Sequence, residues 1–219
     1  MRQQNLLKKK TISGLFWSFL DLFANQGIKF AIQIILARLL LPKDFGIIGM
    51  ITVFIAISQS FIDSGFTNAL IRENEPTQED YSTVFYFNLF MAIVMYAILF
   101  VFSVDISNFF KEPQLIGILR VIALVLIINS FGLIQKTMLT KNINFKIQTR
   151  ISIISSVLSG VIAIIFAYVG FGVWSLVIQT LVMQFIQSLL LILWNRWVPS
   201  LVFRMQSFKK FFGFGWKLV

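Results

Sequence analysis

The sequence contains no cysteine and no histidine, and only 9 of its 219 residues are acidic. Without cysteine the chain forms neither a disulfide nor a thiolate metal ligand, and the usual zinc motifs are excluded. The missing histidine removes the side chain that most often exchanges protons near neutral pH. No phosphate-binding loop of the form G-x-x-x-x-G-K-[ST] occurs, so an ATPase of that type is excluded too. We therefore expect no metal site and no cofactor.

Apolar residues, in contrast, are abundant. They make up 58% of the chain, against 13% charged residues, and the mean hydropathy is +0.84. Soluble domains are closer to about 45–50% apolar. The apolar residues fall in blocks of about 20, the length that crosses a bilayer as a helix. The composition therefore predicts an all-α integral membrane protein.

Six apolar segments predict a bundle of six transmembrane helices over residues 12–195, and the predicted spans are 12–37, 45–69, 79–104, 114–135, 150–169 and 173–195. The stretch "PKDFG" at 42–46 is expected to join the first two spans, and Thr77 with Asp80 to form a capping box before the third. A basic cytoplasmic tail is predicted over 1–11. Residues 196–219 read as a basic cytoplasmic linker and the start of a seventh helix. Because that helix has no exit, we expect a fragment of a longer protein.

The net charge of +10 would suggest nucleic acid for a soluble protein. Here the basic residues cluster in short connections between apolar blocks, so we expect no nucleic-acid partner. Most of them fall on one side of the predicted topology, in the amino-terminal tail, the second and fourth connections and the segment after the last span. The positive-inside rule places that side, and the amino terminus, in the cytoplasm.

The first predicted span carries six polar side chains: Ser18, Asp21, Asn25, Gln26, Lys29 and Gln33. At 100° per residue they share an arc of roughly 140°. Asp21 and Lys29 lie about 12 Å apart along the axis, too far for a direct ion pair. Charges inside a membrane usually mark a substrate or ion pathway. We expect Asp21, Asn25, Lys29 and Gln33 to bind substrate in a water-filled cavity. Polar contact between helices is the alternative.

Two other positions are candidate sites. Arg120, near the start of the fourth span, either reaches the outer headgroups or contacts a lipid-linked phosphate. At the end of the second span, Gly65 weakens the helix and Asp63 continues a polar face, so Asp63, Gly65 and Arg72 predict a polar, deformable cytoplasmic mouth. The alternative is that Arg72 simply caps the carboxyl end of the helix.

Six short motifs resemble those of polysaccharide flippases, in the same order and over nearly the whole chain: "ARLLLPKDFG" (37–46), "FIDSGFTNALIR" (61–72), "KNINFKIQTR" (141–150), "GFGVWSLV" (170–177), "WVPSLVF" (197–203) and "KKFFGFGWKL" (209–218). The chain is similar to the lipopolysaccharide and colanic-acid exporters of the Wzx type. These belong to the multidrug/oligosaccharidyl-lipid/polysaccharide exporter superfamily. The resemblance implies a MATE-like transporter with two six-helix bundles, of which this chain is the first bundle and the start of the second.

The resemblance also implies a function. Such a protein is a transporter and not an enzyme, and it moves undecaprenyl-diphosphate-linked oligosaccharide units across the bacterial cytoplasmic membrane. Its implied partners are the lipid-linked substrate, membrane lipids and a polysaccharide polymerase or glycosyltransferase. Two alternatives remain open at this point. One is a multidrug or cation antiporter of the related branch, with Asp21 as its ion site; the other is a non-transporting membrane scaffold of a polysaccharide synthase.

Overall fold

The chain folds into helices throughout the part that the structure describes. The computed structural model describes the backbone of residues 2–63 and 65–215, and the side chains of these residues except 2–16, 18, 20–22 and 212–215. No strand occurs within these ranges. The helices are α1 (Arg2–Leu39), α2 (Pro42–Asp63), α3 (Phe66–Arg72), α4 (Gln78–Val101), α5 (Ser103–Phe110), α6 (Leu115–Ile122), α7 (Leu124–Lys141), α8 (Phe145–Tyr168), α9 (Val173–Asn195) and α10 (Met205–Gly215).

Among the described residues, five helical segments are long and apolar enough to cross a bilayer: α2, α4, α6 together with α7, α8 and α9. Their outward surfaces carry large apolar side chains, among them Phe90, Val101 and Leu193, which are all more than half exposed. A surface of this kind is stable against lipid and not against water. The prediction of an all-α integral membrane protein is therefore confirmed. Helix α1 contains the first predicted span and is not among these five segments.

Several predicted boundaries are wrong, because residues taken as connections are helical. The stretch "PKDFG" forms the first turn of α2, where proline suits the first helical position and the Leu41 amide donates to Asp44 Oδ2 at 3.0 Å. The predicted second span breaks after Asp63 and continues as the separate helix α3. Helix α5 occupies most of the predicted connection 105–113, and only residues 142–144 separate α7 from α8. The sixth span is confirmed at both ends, and so is the Thr77–Asp80 capping box.

The helices pack in the order α1, α8, α9, α7, α4 and α2, with α2 also touching α9. The largest apolar cluster joins α2, α4, α6, α7 and α9 around Leu119, Ile122 and Leu126. A smaller cluster joins α1 to α8 through Ile32, Leu36 and Ala163. Small side chains along α8 allow this close approach, which is how helices associate where lipid removes the hydrophobic driving force.

Basic residues collect at one end of the bundle, which we call the basic end: Arg72, Lys136, Lys141, Lys146, Arg150, Arg196, Arg204, Lys209 and Lys210. Several contacts tie the chain together there. Trp197 Nε1 donates to Gln78 Oε1 at 2.6 Å, and Arg204 pairs with Glu79 at 2.7 Å. At the opposite end Lys43 pairs with Glu112 at 2.9 Å. The charge asymmetry inferred from the sequence is thus an asymmetry between the two ends of the folded bundle.

Candidate functional site

The predicted polar face of α1 lies partly in the contact with α8. Asn25 is buried, its Nδ2 donates to Ser152 Oγ at 2.7 Å, and its Oδ1 accepts from Ser156 Oγ at 3.0 Å. One helical turn closer to the basic end, Thr149 Oγ1 donates to the Trp17 carbonyl at 3.1 Å. Asn25 therefore holds α1 against α8, the arrangement that the sequence offered as the alternative to a cavity.

Lys29 and Gln33 lie beside this contact and are exposed. Within the described part of the chain neither side chain has a hydrogen bond or an ion pair. The side chain of Asp21 lies outside the described residues. An exposed ammonium and an amide on a helix of an apolar bundle require water or another polar surface, since lipid offers them no partner. Substrate binding by Asp21, Asn25, Lys29, Gln33 and Arg120 stays a prediction.

Arg120 lies at the other end of the bundle and is held by its neighbours. Its Nε donates to Ser103 Oγ at 2.8 Å, and its guanidinium carbon lies 4.3 Å from the centroid of the Phe100 ring. A cation over an aromatic face is stabilised by about 0.5–1 kcal/mol at exposed sites. Arg120 therefore lies far from Asn25 along the bundle axis and contributes to the junction of α4, α5 and α6.

The predicted mouth at Asp63, Gly65 and Arg72 is a break between two helices. Gly65 has a φ of +73°, which costs roughly 1–2 kcal/mol for residues other than glycine, and this turn redirects the chain from α2 into α3. Asp63 Oδ1 and Thr67 Oγ1 are buried next to the break, and neither has a hydrogen-bond partner among the described residues. The break thus contains buried polar atoms and a glycine at positive φ, whereas the deformable character and the gating role of this segment stay predictions.

Helix α3 is held at its carboxyl end by two other helices. The Lys141 ammonium, from α7, donates to the carbonyls of Leu70, Ile71 and Glu73, which have no intrahelical partner at a helix terminus. Lys210, from α10, pairs with Glu73 at 2.6 Å. Arg72 lines a cleft of about 310 Å³ between α3 and α10. Lys141 therefore caps this helix terminus, and capping by Arg72 stays a prediction.

A polar pocket of about 70 Å³ lies among α7, α8 and α9, and it is lined by Lys136, Gln148, Ile151, Ser152, Gln187 and Leu191. We call it the α7–α9 pocket. Ser152 connects it to α1 through Asn25, and Gln148 Nε2 donates to Thr140 Oγ1 at 3.0 Å. The pocket combines one cation with amides and a hydroxyl, the groups that bind phosphate and sugar hydroxyls.

Sequence reasoning missed this pocket, because its polar residues come from three helices. Lys136 and Gln148 fall in the connection between the predicted spans 114–135 and 150–169, and Gln187 lies inside the sixth predicted span. Two further buried amides were also missed. Asn88 on α4 and Gln135 on α7 are almost completely buried, and Gln135 Oε1 and both polar atoms of the Asn88 amide lack a partner in the described structure.

Comparison with known proteins places the chain in a family of polysaccharide biosynthesis proteins. The family described as "Polysaccharide biosynthesis protein" matches residues 35–219. The succinoglycan biosynthesis transport protein ExoT of Rhizobium meliloti is 31% identical over 90% of this chain and 40% of its own length. The teichuronic acid biosynthesis protein TuaB of Bacillus subtilis is 27% identical over 95% of this chain and 44% of its own length.

The lipopolysaccharide biosynthesis protein WzxC of Escherichia coli is 25% identical over 64% of this chain and 28% of its own length. No solved structure matches the chain. The chain thus spans less than half the length of these relatives. The resemblance read from the sequence motifs is confirmed, and this multi-pass membrane chain belongs to the family described as polysaccharide biosynthesis protein.

Proposed function

We propose that the chain forms part of a transporter, not an enzyme, that moves lipid-linked oligosaccharide units across the bacterial cytoplasmic membrane for surface polysaccharide synthesis. In this proposal α1 is a sixth membrane span and the basic end faces the cytoplasm, as the positive-inside rule requires. Undecaprenyl diphosphate is the carrier that the family resemblance implies. The transport names of relatives and the family match support this proposal.

The observation that carries the proposal is the α7–α9 pocket. It lies between helices that are otherwise apolar enough to cross a bilayer, and it presents a cation and amides close to the basic end. A diphosphate and its sugars cannot enter hydrocarbon, because charged and polar groups lose their hydration there. Lys136 can offset the charge of one phosphate group, and Gln148 and Gln187 can hydrogen-bond its oxygens, while the sugars lie outside this pocket of about 70 Å³. The lipid tail remains in the bilayer.

The experiment removes the native gene from the cell that carries it and restores it on a plasmid. Loss of the gene should abolish the corresponding surface polysaccharide and cause lipid-linked oligosaccharide to accumulate on the cytoplasmic side. Lys136→Gln should lower the rate of export about tenfold, since a charge-assisted hydrogen bond contributes about 1.5–3 kcal/mol. Arg150→Gln is the matched control, because Arg150 is an exposed cation on α8 at the same end of the bundle and does not line the pocket.

Two outcomes contradict the proposal. Normal polysaccharide and no accumulated precursor after deletion would exclude the transport function. Equal export by Lys136→Gln and Arg150→Gln, at equal protein levels, would leave the function in place but exclude the pocket as the substrate site.

A further inference from the structure

We call the cleft between α3 and α10 the α3–α10 cleft. Its lining combines apolar and charged groups, as a binding site for a charged amphiphile does. Its volume of about 310 Å³ falls within the range of about 300–1,000 Å³ that is usual for ligand pockets. Ala69 and Phe211 are buried and form an apolar floor. Arg72, Glu73, Asn74 and Lys210 supply polar and charged groups around it. A ligand with an apolar body and a charged head would satisfy both parts.

Cations outnumber carboxylates around this cleft. Arg72 and Lys210 line it, Lys209 is exposed on the same helix as Lys210, and Lys141 reaches the carboxyl end of α3. The ammonium of Lys141 is bound to carbonyl oxygens, which are neutral, so these contacts leave its charge in place.

The carboxylates near the cleft are fewer. Glu73 pairs with Lys210, Asp80 lies close enough to Lys210 to interact with its charge, and Glu75 is exposed two residues after Glu73. The four cations outnumber these three carboxylates by one. The net charge around the cleft is therefore positive, which favours binding of an anion.

The cleft also lies at the end of the membrane-crossing helices, beside the contacts of α10 with α3 and α4. Helices α3 and α10 adjoin the basic end of the membrane-crossing helices, and aromatic rings surround them. The ring centroids of Trp197 and Tyr81 are 6.3 Å apart. The ring centroid of Phe208 lies 6.1 Å from that of Phe66 and 5.2 Å from that of Phe87. Tryptophan and tyrosine are enriched at the membrane–water interface. Basic residues just beyond a membrane helix attract anionic lipids of the cytoplasmic leaflet.

From these observations we propose that the α3–α10 cleft binds the phosphate headgroup of an anionic phospholipid. Arg72 and Lys210 contact the phosphate, and the acyl chains leave the cleft toward the bilayer. Because Glu73 already pairs with Lys210, its carboxylate competes with the phosphate. The two members of this ion pair therefore have opposite effects on lipid binding, which no purely structural role of the pair produces.

The test measures lipid binding to the purified 219-residue chain in detergent by native mass spectrometry. Phosphatidylglycerol is titrated against phosphatidylcholine, and inorganic phosphate is titrated separately. Lys210→Gln should weaken phosphatidylglycerol binding about fivefold, and Glu73→Gln should strengthen it about fivefold, because one basic residue near an anionic surface contributes about 1 kcal/mol. Lys43→Gln and Glu112→Gln alter a comparable ion pair at the opposite end of the bundle and should leave binding unchanged.

Each remaining result overturns the proposal. Weaker binding in both Lys210→Gln and Glu73→Gln, with lowered melting temperatures, would make the pair a structural link between α3 and α10. If Lys43→Gln weakened phosphatidylglycerol binding as much as Lys210→Gln did, the effect would come from the net charge of the protein and not from the cleft. Equal retention of both phospholipids by the unsubstituted chain would exclude an anion site, and binding of inorganic phosphate as tight as that of the lipid would assign the cleft to a soluble phosphate compound.

Discussion

Replacing Gly160 with alanine should weaken the contact between α1 and α8. A Cβ atom built at Gly160 would lie 2.1 Å from Ile32 Cδ1 and 2.7 Å from Ile32 Cγ1, so the isoleucine must move or the helices must separate. Overpacking of this kind costs typically about 1–3 kcal/mol. The same contact brings Asn25 to Ser152 and Ser156, so a shift of α1 also disturbs those hydrogen bonds.

A double-mutant cycle with Ile32→Val tests the cause. Valine lacks Cδ1, the atom nearest the added methyl group, and this change alone should cost about 0.5–1.5 kcal/mol. The double variant should be more stable than the sum of the two single losses by at least about 0.5 kcal/mol, because contacting residues are coupled. The free energy of unfolding in mixed micelles is the measurement.

Gly49→Ala is the matched control, because a Cβ there meets nothing within 4 Å. Gly49 lies inside α2, so alanine should raise stability by up to about 1 kcal/mol. If Gly160→Ala is as stable as Gly49→Ala, or if the double variant is additive within about 0.3 kcal/mol, the close approach at Gly160 does not hold the two helices together.

Three further predictions concern the hinge, the orientation and the exposed lysine of α1. Gly65→Ala should lower the free energy of unfolding by about 1–2 kcal/mol because φ is positive there; a gain in stability would mean that α2 and α3 form one continuous helix. Because the sequence has no cysteine, single introduced cysteines report the orientation. Asn142→Cys should react with an impermeant maleimide from the cytoplasmic side only, and Asn108→Cys from the outside only. The reverse labelling pattern would mean that the orientation is inverted. Lys29→Gln in the native gene should strongly reduce surface polysaccharide at normal protein levels. Lys29→Arg should retain part of the surface polysaccharide, because the positive charge survives. Normal surface polysaccharide from Lys29→Gln would exclude a substrate role for Lys29.

Helix existence was predictable from the sequence, whereas helix boundaries were not. Blocks of apolar residues about 20 long determine where the membrane is crossed, and the sixth span was located at both of its ends. The errors have different causes: at 42–46 a proline occupies the first helical turn, whereas at 105–113 and 136–149 helices extend beyond the apolar blocks. Polar and basic residues near the membrane surface are good helix formers, so helices such as α7 continue past the hydrocarbon to Lys141, and hydropathy alone does not register this extension.

The role of each polar residue depends on the residues that pack against it. Its position around its own helix, which the sequence does give, does not identify those residues. Asn25 and Lys29 share one polar arc of α1, yet Asn25 is bonded to α8 and Lys29 is exposed. Gln184 likewise bonds to Asn129 Oδ1 at 2.7 Å, whereas Gln187, one turn away, lines the α7–α9 pocket.

In a bilayer an amide must find a partner in protein or in trapped water, so polarity inside a span predicts that something polar faces it but does not identify what. That distinction comes from the packing partner. Where α8 presents serines, the polar residue of α1 becomes a structural contact. Where α7, α8 and α9 leave a pocket beside Lys136, the polar groups remain available to a ligand.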